Sequence, residues 1–432
     1  MIEKKRILIL TADAGFGHRS AANAIAASLE QNHGNECEVQ IINPLDDRRA
    51  PFYLRDSAAD YDRLVRSAPE LYKLSYDASD NEFPSFLMES VLTVALFEIM
   101  RDLIRSLDPD AIVSTYPLYQ APLASYFALN RYYVPLTTVV TDLATVHRLW
   151  FSPNVEMCLV PTAEVQALAL SNGVVQNKIH ITGIPVSPSF AKKLRRKADI
   201  RKELGWDQHL PTILAVGSRR VDQLMENLNV LNHFGKPLQV VAVAGKDEEL
   251  FSQMKAVDWH VPAHIYDFVT NMPELMMASD AIICKAGGLV VTESLASGLP
   301  MLLVDVIPGQ EEGNRDFVLR NGAGDMVETP LDMLQTLAHW MANGEQLLKE
   351  RARNARKLGR PNSAAIVADL VWRSALRGPV NKRYRTRMGR TRLIDLLTNN
   401  NVPWRETQSE AVDSIDGREK SDAANRAGGH FG

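Results

Sequence analysis

The chain has 432 residues, of which 46% are hydrophobic and 23% charged, and its formal net charge is -4. This length is sufficient for two domains of ordinary size, and the composition is that of a globular protein. The slightly acidic balance argues against a nucleic-acid partner.

The cysteines and the apolar runs limit the cellular context. Cys37, Cys158 and Cys284 are far apart, and each lies in or beside an apolar segment. We expect reduced packing residues and no disulfide or metal site, which suits a cytosolic protein. No signal peptide is expected at the start of the chain. The longest apolar segment, 86–100, is interrupted by two glutamates and is too short for the about 20 apolar residues of a membrane span.

The first strand pattern, residues 6–10, leads into a glycine-containing loop, and helical spacing follows over residues 20–29. In open α/β sheets the end of such a strand is a preferred place for chemistry. Gly17 and His18 lie there. Judged by itself, a histidine at this position is more often a hydrogen-bonding residue of a helix start than a catalytic group.

The segment 83–107 is the most apolar part of the first half, and its spacing fits the buried stripe of a core helix. The positions of this predicted stripe are Leu87, Val91, Val94, Leu96 and Met100. The alternative is an interfacial element, with aromatic and basic residues at the level of lipid headgroups and apolar residues below them.

Three further strand patterns alternate with helical stretches, which predicts a parallel, doubly wound sheet. They span residues 111–115, 136–140 and 156–160. Asp142 and His147 follow the second of these strands and would face the same crevice as His18. Solvated loop residues would look the same, so both interpretations stay open.

A basic segment at residues 192–202 separates the first half from a new series of strand patterns, so a second α/β sheet is predicted. We assign residues 1–190 to an N-terminal domain, 191–202 to a linker and 203–377 to a C-terminal domain. The remaining residues, 378–432, form a basic and then polar tail that we expect to be disordered.

Residues 282–300 carry the main functional signal of the second half. A strand pattern ends at Lys285, Gly287 and Gly288 follow, and a helical pattern runs to a stop at Gly298. The glycines would let a diphosphate approach the backbone, and a helix start offers unpaired N–H groups and partial positive charge. Glu293 lies near enough to bind a ribose. Such turns also serve only helix packing, so this turn alone leaves nucleotide binding open.

The loop 307–314 places polar side chains where another helix begins. Gln310 and Asn314 are four residues apart and would share one helix face, from which they could bind sugar hydroxyls. Alternatively, Glu311, Glu312 and Asn314 only cap and solvate the helix start.

Several of these motifs, in this order, resemble one family over residues 7–324. It is the family of monogalactosyldiacylglycerol synthases and processive diacylglycerol glucosyltransferases, which is similar to the peptidoglycan N-acetylglucosaminyltransferase. The matching motifs are Gly17-His18-Arg19-Ser20-Ala21-Ala22, Val140-Thr141-Asp142-Leu143, Gly183-Ile184-Pro185-Val186, Asp267-Phe268-Val269-Thr270-Asn271-Met272-Pro273, and residues 285–300 and 308–314. The chain departs from the family's glycine-rich loops at residues 14–17 and 217–220.

The resemblance implies the GT-B fold, with two doubly wound Rossmann-like domains facing each other across a cleft. It implies an inverting transfer of a hexose from UDP-galactose or UDP-glucose to diacylglycerol, with His18 as the base. The implied donor-binding residues are Gly287, Gly288, Glu293, Gln310, Glu311 and Asn314, and the implied acceptor-side residues are Gly17, Asp142 and His147. Neither a metal nor another cofactor is expected.

Diacylglycerol stays in the bilayer, so we expect a peripheral protein at the cytoplasmic face of an anionic membrane. The segment 83–107 and the basic run 373–392 would attach it. Two alternatives remain. One is a UDP-sugar epimerase of related fold, and the other is a catalytically inactive, membrane-associated protein that binds a nucleotide.

Overall fold

The computed structural model describes residues 4–13, 16–51, 82–191, 195–217, 223–307 and 311–381. Within these ranges the chain forms two six-stranded parallel sheets, each covered by helices on both faces. The α/β class and the doubly wound arrangement that the sequence predicted are therefore confirmed.

The N-terminal sheet has the strand order β2-β1-β3-β5-β6-β7, with all neighbours parallel. Its elements are β1 (Lys5–Leu10), α1 (Phe16–His33), β2 (Cys37–Ile42), α2 (Glu82–Leu107), β3 (Ala111–Ser114), α3 (Gln120–Asn130), β4 (Tyr132–Tyr133), β5 (Leu136–Val139), β6 (Met157–Val160), α4 (Ala163–Ser171) and β7 (Ile179–Ile181).

The C-terminal sheet has the order β10-β9-β8-β11-β12-β13 and is also parallel throughout. The second half contains α5 (Lys197–Leu204), β8 (Thr212–Val216), α6 (Leu224–Asn232), β9 (Gln239–Val243), α7 (Glu248–Ala256), β10 (Ala263–Tyr266), α8 (Met272–Ala278), β11 (Ala281–Lys285), α9 (Gly288–Ser297), β12 (Met301–Asp305), α10 (Glu312–Arg320), β13 (Gly324–Met326), α11 (Pro330–Trp340), α12 (Gln346–Leu358), α13 (Ser363–Arg377) and β14 (Val380–Asn381).

The alternation of side chains along β1 explains why its whole apolar run is buried. Leu8 and Leu10 point into the core cluster under α2 and α3, while Ile7 and Ile9 point into the cluster under α1 and α13. A parallel strand covered on both faces needs apolar residues at every position, as here.

The last helix, α13, crosses back from the second half of the chain to the first. Val367, Val371 and Ala375 pack in the same core cluster as Ile7 and Ile9 of β1. Beyond it, β14 pairs with β4 in an antiparallel ladder. The stretch that the sequence assigned to the C-terminal domain thus ends on the N-terminal sheet.

The buried face of helix α2 differs in part from the predicted apolar stripe. Val91 and Val94 are 55% and 71% exposed, so the prediction is wrong at these two positions, whereas Leu96 and Met100 are buried as predicted. The buried face also contains Leu92, Ile99 and Ile104. Because this segment is apolar on most sides, its spacing did not fix which side faces the sheet. Leu87 lies outside the side chains that the structure describes.

Other predictions concern single residues and spans. The three cysteines are free and buried, as expected for packing residues. Within the described ranges, no helix combines the length and the apolar character that crossing a bilayer requires. The same part of the chain contains no group of three or more His, Cys, Asp or Glu side chains that could hold a metal ion.

Candidate active site between the two sheets

His18 lies in the first turn of α1, the helix that follows β1, and is half-buried. Its Nδ1 is 2.8 Å from the hydroxyl oxygen of Thr141, and its ring meets the ring of Tyr116 edge-on at 5.0 Å. Burial lowers the pKa of His18 to about 4, although a hydrogen bond with the Thr115 backbone opposes this shift. The imidazole is therefore neutral near pH 7 and can accept a proton.

Asp142 follows β5 and lies near the other half of the cleft. Burial raises the pKa of its carboxyl group to about 7, a hydrogen bond from Trp150 lowers it, and the negative charge of Glu311 raises it. Glu311 belongs to the C-terminal half, so its charge acts on Asp142 across the cleft. Near neutral pH, Asp142 is therefore close to half-protonated.

His147 is buried, with 9% of its surface exposed, and it orders the loop beside His18. Its Nδ1 accepts a hydrogen bond of 3.2 Å from the backbone N–H of Leu149, which caps the short helix Arg148–Trp150. The Trp150 ring of that short helix lies 5.9 Å from the ring of His18. His147 thus supports the wall of the histidine site.

On the opposite side of the cleft, strand β11 leads into the predicted turn and helix. The register between β11 and β12 shifts at Lys285, which marks a local irregularity at the end of the strand. Helix α9 begins at Gly288, no side chain caps its start, and Gly298 ends it in the left-handed conformation with φ of 65°. These features confirm the predicted strand, turn, helix and glycine stop.

Lys285 and Glu311 form an ion pair at this turn that the sequence analysis did not single out. Lys285 Nζ lies 2.6 Å from Glu311 Oε1, and the backbone N–H of Ile307 donates to Glu311 Oε2 at 3.1 Å. Glu311 is 5% exposed. The Lys285 ammonium group therefore lies beside Gly287. The sequence contains a signal for this role, because Lys285 is the last residue of a strand that leads into two glycines.

Glu293 lies on α9, five residues after Gly288. Burial raises the pKa of its carboxyl group to about 7. Among the described residues its side chain makes no hydrogen bond or ion pair. A half-buried carboxyl group without a protein partner is expensive unless a ligand supplies one.

The two halves of the site are in direct contact. A Cβ atom added to Gly288 would lie 3.1 Å from the carbonyl oxygen of Thr141 and 4.0 Å from Asp142 Oδ1. Asn314, on α10, accepts a hydrogen bond from the Leu143 N–H and donates one to the Ala286 carbonyl oxygen. The strand-end segment that holds His18 therefore rests on the helix start after Gly287.

The structure thus brings most of the predicted site residues to one cleft. Gly17 has open space where a Cβ atom would be, which leaves room beside His18. Gln310 and the altered glycine loops, residues 14–15 and 218–220, lie outside the described residues. Exposed Phe268, whose ring faces Lys246 Nζ at 5.2 Å, follows strand β10 of the second sheet.

Comparison with known proteins places the chain among glycosyltransferases. Residues 18–186 match the family model for monogalactosyldiacylglycerol (MGDG) synthase, and residues 213–365 match the glycosyltransferase family 28 C-terminal domain. The chloroplastic monogalactosyldiacylglycerol synthase of Spinacia oleracea is 34% identical over 382 residues, which cover 85% of this chain and 72% of that protein.

Solved structures show the fold. MurG of Acinetobacter baumannii superposes with a TM-score of 0.55 at 16% identity, covering 86% of this chain and 100% of that chain. UDP-GlcNAc 2-epimerase from Neisseria meningitidis, bound to UDP-GlcNAc, superposes with the same TM-score at 14% identity and with the same coverage. The two facing sheets are therefore the GT-B fold, which by itself does not separate a transferase from an epimerase.

Proposed function

Since the chain belongs to the monogalactosyldiacylglycerol synthase family, we propose that it transfers a hexose from a UDP-sugar to diacylglycerol. The observation that carries this proposal is the 34% identity to a synthase across 85% of the chain, which includes both sides of the cleft. The donor is UDP-galactose or UDP-glucose, and the product is a membrane glycolipid.

The proposed reaction inverts the anomeric carbon in one displacement. The acceptor hydroxyl oxygen bonds to the anomeric carbon while the bond from that carbon to the diphosphate oxygen breaks. The hydroxyl proton goes to a base, and UDP leaves with the bonding electron pair. Such a step needs a base on the acceptor side and stabilisation of negative charge on the donor side.

His18 is the proposed base. In the tautomer that donates Nδ1–H to the Thr141 hydroxyl oxygen, Nε2 would carry the lone pair that takes the acceptor proton. The pKa of about 4 keeps the imidazole neutral before the reaction, but it also makes the ring a weaker base than an ordinary histidine. Asp142, whose pKa is raised to about 7, is the next candidate. Gly17 leaves space for the acceptor, and His147 orders the surrounding loop.

The start of α9 is the proposed seat of the donor diphosphate. Gly287 and Gly288 let the phosphates approach the backbone, and the uncapped helix start offers N–H groups and partial positive charge. Lys285, although paired with Glu311, places its ammonium group next to this turn, where it can also contact the diphosphate. These groups together stabilise the leaving UDP, so the proposed mechanism uses no cofactor.

Glu293 is proposed to hold the ribose, because its buried carboxyl group lacks a partner among the described residues and two ribose hydroxyls would supply one. Gln310 and Glu311 are the proposed contacts of the hexose, whereas the Asn314 amide is bonded to Leu143 and Ala286 and, at 2% exposed, offers the sugar little surface. Exposed Phe268 offers a flat apolar surface at the same sheet edge, suited to stacking of the uracil ring.

We propose that the protein reaches diacylglycerol by binding reversibly to an anionic membrane surface, without crossing it. The exposed Val91 and Val94 of α2 support this, since large apolar side chains in water favour an interface. Most of the basic run 373–392 lies outside the described residues, and its first two members pair with acids: Arg373 with Asp369, and Arg377 with Glu156. Co-sedimentation with vesicles at two salt concentrations checks this binding, which should weaken as salt rises.

A product assay tests the proposed function. The purified protein is incubated with labelled UDP-galactose or UDP-glucose and with diacylglycerol vesicles, and the lipids are then resolved. We expect one donor to give a labelled glycolipid. A changed sugar nucleotide formed without lipid would indicate an epimerase, and nucleotide binding without any turnover would indicate an inactive binding protein. Either result would overturn the proposal.

A further inference from the structure

The side chain of Asn314 bonds both domains at the cleft. Its Oδ1 accepts a hydrogen bond of 3.3 Å from the Leu143 backbone N–H in the N-terminal half. Its Nδ2 donates one of 3.1 Å to the carbonyl oxygen of Ala286, just before the Gly287 turn. Asn314 is 2% exposed, so it has little surface for a ligand in this arrangement.

The segment that Asn314 holds also holds the proposed base. Thr141 lies two residues before Leu143, and its hydroxyl oxygen is 2.8 Å from His18 Nδ1. Thr141 is buried, with 5% of its surface exposed. A shift of residues 141–143 would therefore move the group that orients the imidazole.

Two glycines allow this segment to lie close to the C-terminal half. A Cβ atom at Gly288 would lie 3.1 Å from the Thr141 carbonyl oxygen, and one at Gly313 would lie 2.1 Å from Thr145 Oγ1. Both glycines stand at helix starts, at the beginning of α9 and of α10. Further out, Arg320 and Glu164 form an ion pair of 3.1 Å between the same two halves.

We infer that Asn314 is a positioning residue, which fixes residues 141–143, and through them the His18 imidazole, against the donor turn. The inference rests on the proposed function. It adds a positioning role to the catalytic and donor-binding roles proposed above. Asparagine suits this place because one amide offers both the acceptor for Leu143 and the donor for Ala286. Aspartate has the same shape but no N–H group, and it would set a carboxylate against a carbonyl oxygen.

The test compares Asn314→Asp with Asn321→Asp. Asn321 caps the far end of the same helix, and among the described residues its Nδ2 bonds the Phe317 carbonyl oxygen alone. For Asn314→Asp we expect kcat of glycolipid formation to fall by about 10- to 100-fold, because misplacing a catalytic group by about 1 Å has effects of this size. UDP affinity, measured by calorimetry, should change by less than about threefold. Asn321→Asp should leave both values unchanged.

Coupling to His18 separates positioning from general damage. If Asn314 acts through the base, adding Asn314→Asp to His18→Ala should slow the reaction no further than His18→Ala alone. Should Asn314→Asp not fold, Thr141→Val removes the hydroxyl partner of His18 at similar volume and should lower kcat with unchanged UDP affinity. An unchanged kcat in Asn314→Asp, or full additivity with His18→Ala, would overturn the inference.

Distances between the domains test the contact without relying on activity. Spin labels are attached to two introduced cysteines, Leu170→Cys on α4 and Leu334→Cys on α11. Both positions are exposed, whereas the three native cysteines are buried. We expect one narrow distance distribution in the otherwise unchanged protein and a broader one with Asn314→Asp. An unchanged distribution would overturn the role of Asn314. Absence of glycolipid in the unmodified protein would overturn the proposed function alone.

Discussion

The strand ends of the two sheets face the same cleft, but their polar groups differ in whether they have hydrogen-bond partners within the protein. At the N-terminal edge the polar groups already have protein partners: His18 contacts Thr141, and Trp150 bonds Asp142. At the C-terminal edge Lys285 and Glu311 pair with each other, but the start of α9 has no side-chain cap, and Glu293 makes no polar contact with the described residues.

This difference fits a division of labour between the edges. A group that moves a proton must be held in one orientation and one protonation state before the substrate arrives, and protein partners provide both. A surface that binds a charged ligand needs groups whose hydrogen bonds the ligand completes. In the proposed mechanism, the first edge therefore supplies the base and the second binds the donor.

The variant His18→Ala is the strongest test of the proposed difference between the two edges. We expect the rate of glycolipid formation to fall by about 10² to 10⁴, the usual range for loss of a general base, with UDP affinity nearly intact. His33→Ala is the matched control, because His33 lies on the same helix but stacks on Trp372 far along it, with ring centroids 4.5 Å apart. Equal rates in His18→Ala and the control would show that His18 is not the base and would leave Asp142 as the next candidate.

A side chain at Gly288 tests both edges together. Gly288→Val should weaken UDP binding and slow the reaction, because its Cβ would lie 3.1 Å from the Thr141 backbone oxygen, which cannot move aside alone. The expected loss is about 1 to 3 kcal/mol, as for other overpacked sites. Calorimetric titration compares the variant with the unchanged protein, and equal affinities for UDP would contradict this assignment.

Removing the carboxyl group of Glu293 tests the proposed ribose contact at the C-terminal edge. Glu293→Ala should weaken UDP binding by about 1 to 3 kcal/mol, the range for losing a charged hydrogen-bond partner. The same variant should leave the pH dependence of the step at His18 unchanged. Unaltered UDP affinity in calorimetry would remove Glu293 from the ribose site.

The stability of the ligand-free protein should depend on pH because of Glu293. Burial raises the pKa of Glu293 from 4.5 to about 7, so the folded state binds this proton more tightly than the unfolded chain does. Stability is therefore lost as pH rises from about 4.5 to 7. Glu293→Gln should remove this loss and stabilise the free protein by about 1 to 3 kcal/mol above pH 7, with no gain below pH 4.5. Thermal unfolding at pH 4.5 and pH 8 measures the difference.

Local sequence determined the strands, the donor turn and the helix that follows it. The apolar run ending at Lys285, the glycines at 287 and 288 and the stop at Gly298 act through backbone conformation and neighbouring residues, so a short window contains the information. The motif resemblance also predicted the GT-B fold correctly, because the order of several motifs along a chain is specific even where single motifs are weak.

Only the tertiary structure decided which surfaces meet. The sequence could not tell that Val94 of an apolar helix is exposed, since burial depends on what packs against the helix. Nor could it tell that α13 covers the first sheet. Asn314 and Leu143 are 171 positions apart, and whether that amide meets a sugar or a backbone depends on how two domains close on each other. Contacts of this kind are set by the packing of whole elements, which no local pattern records.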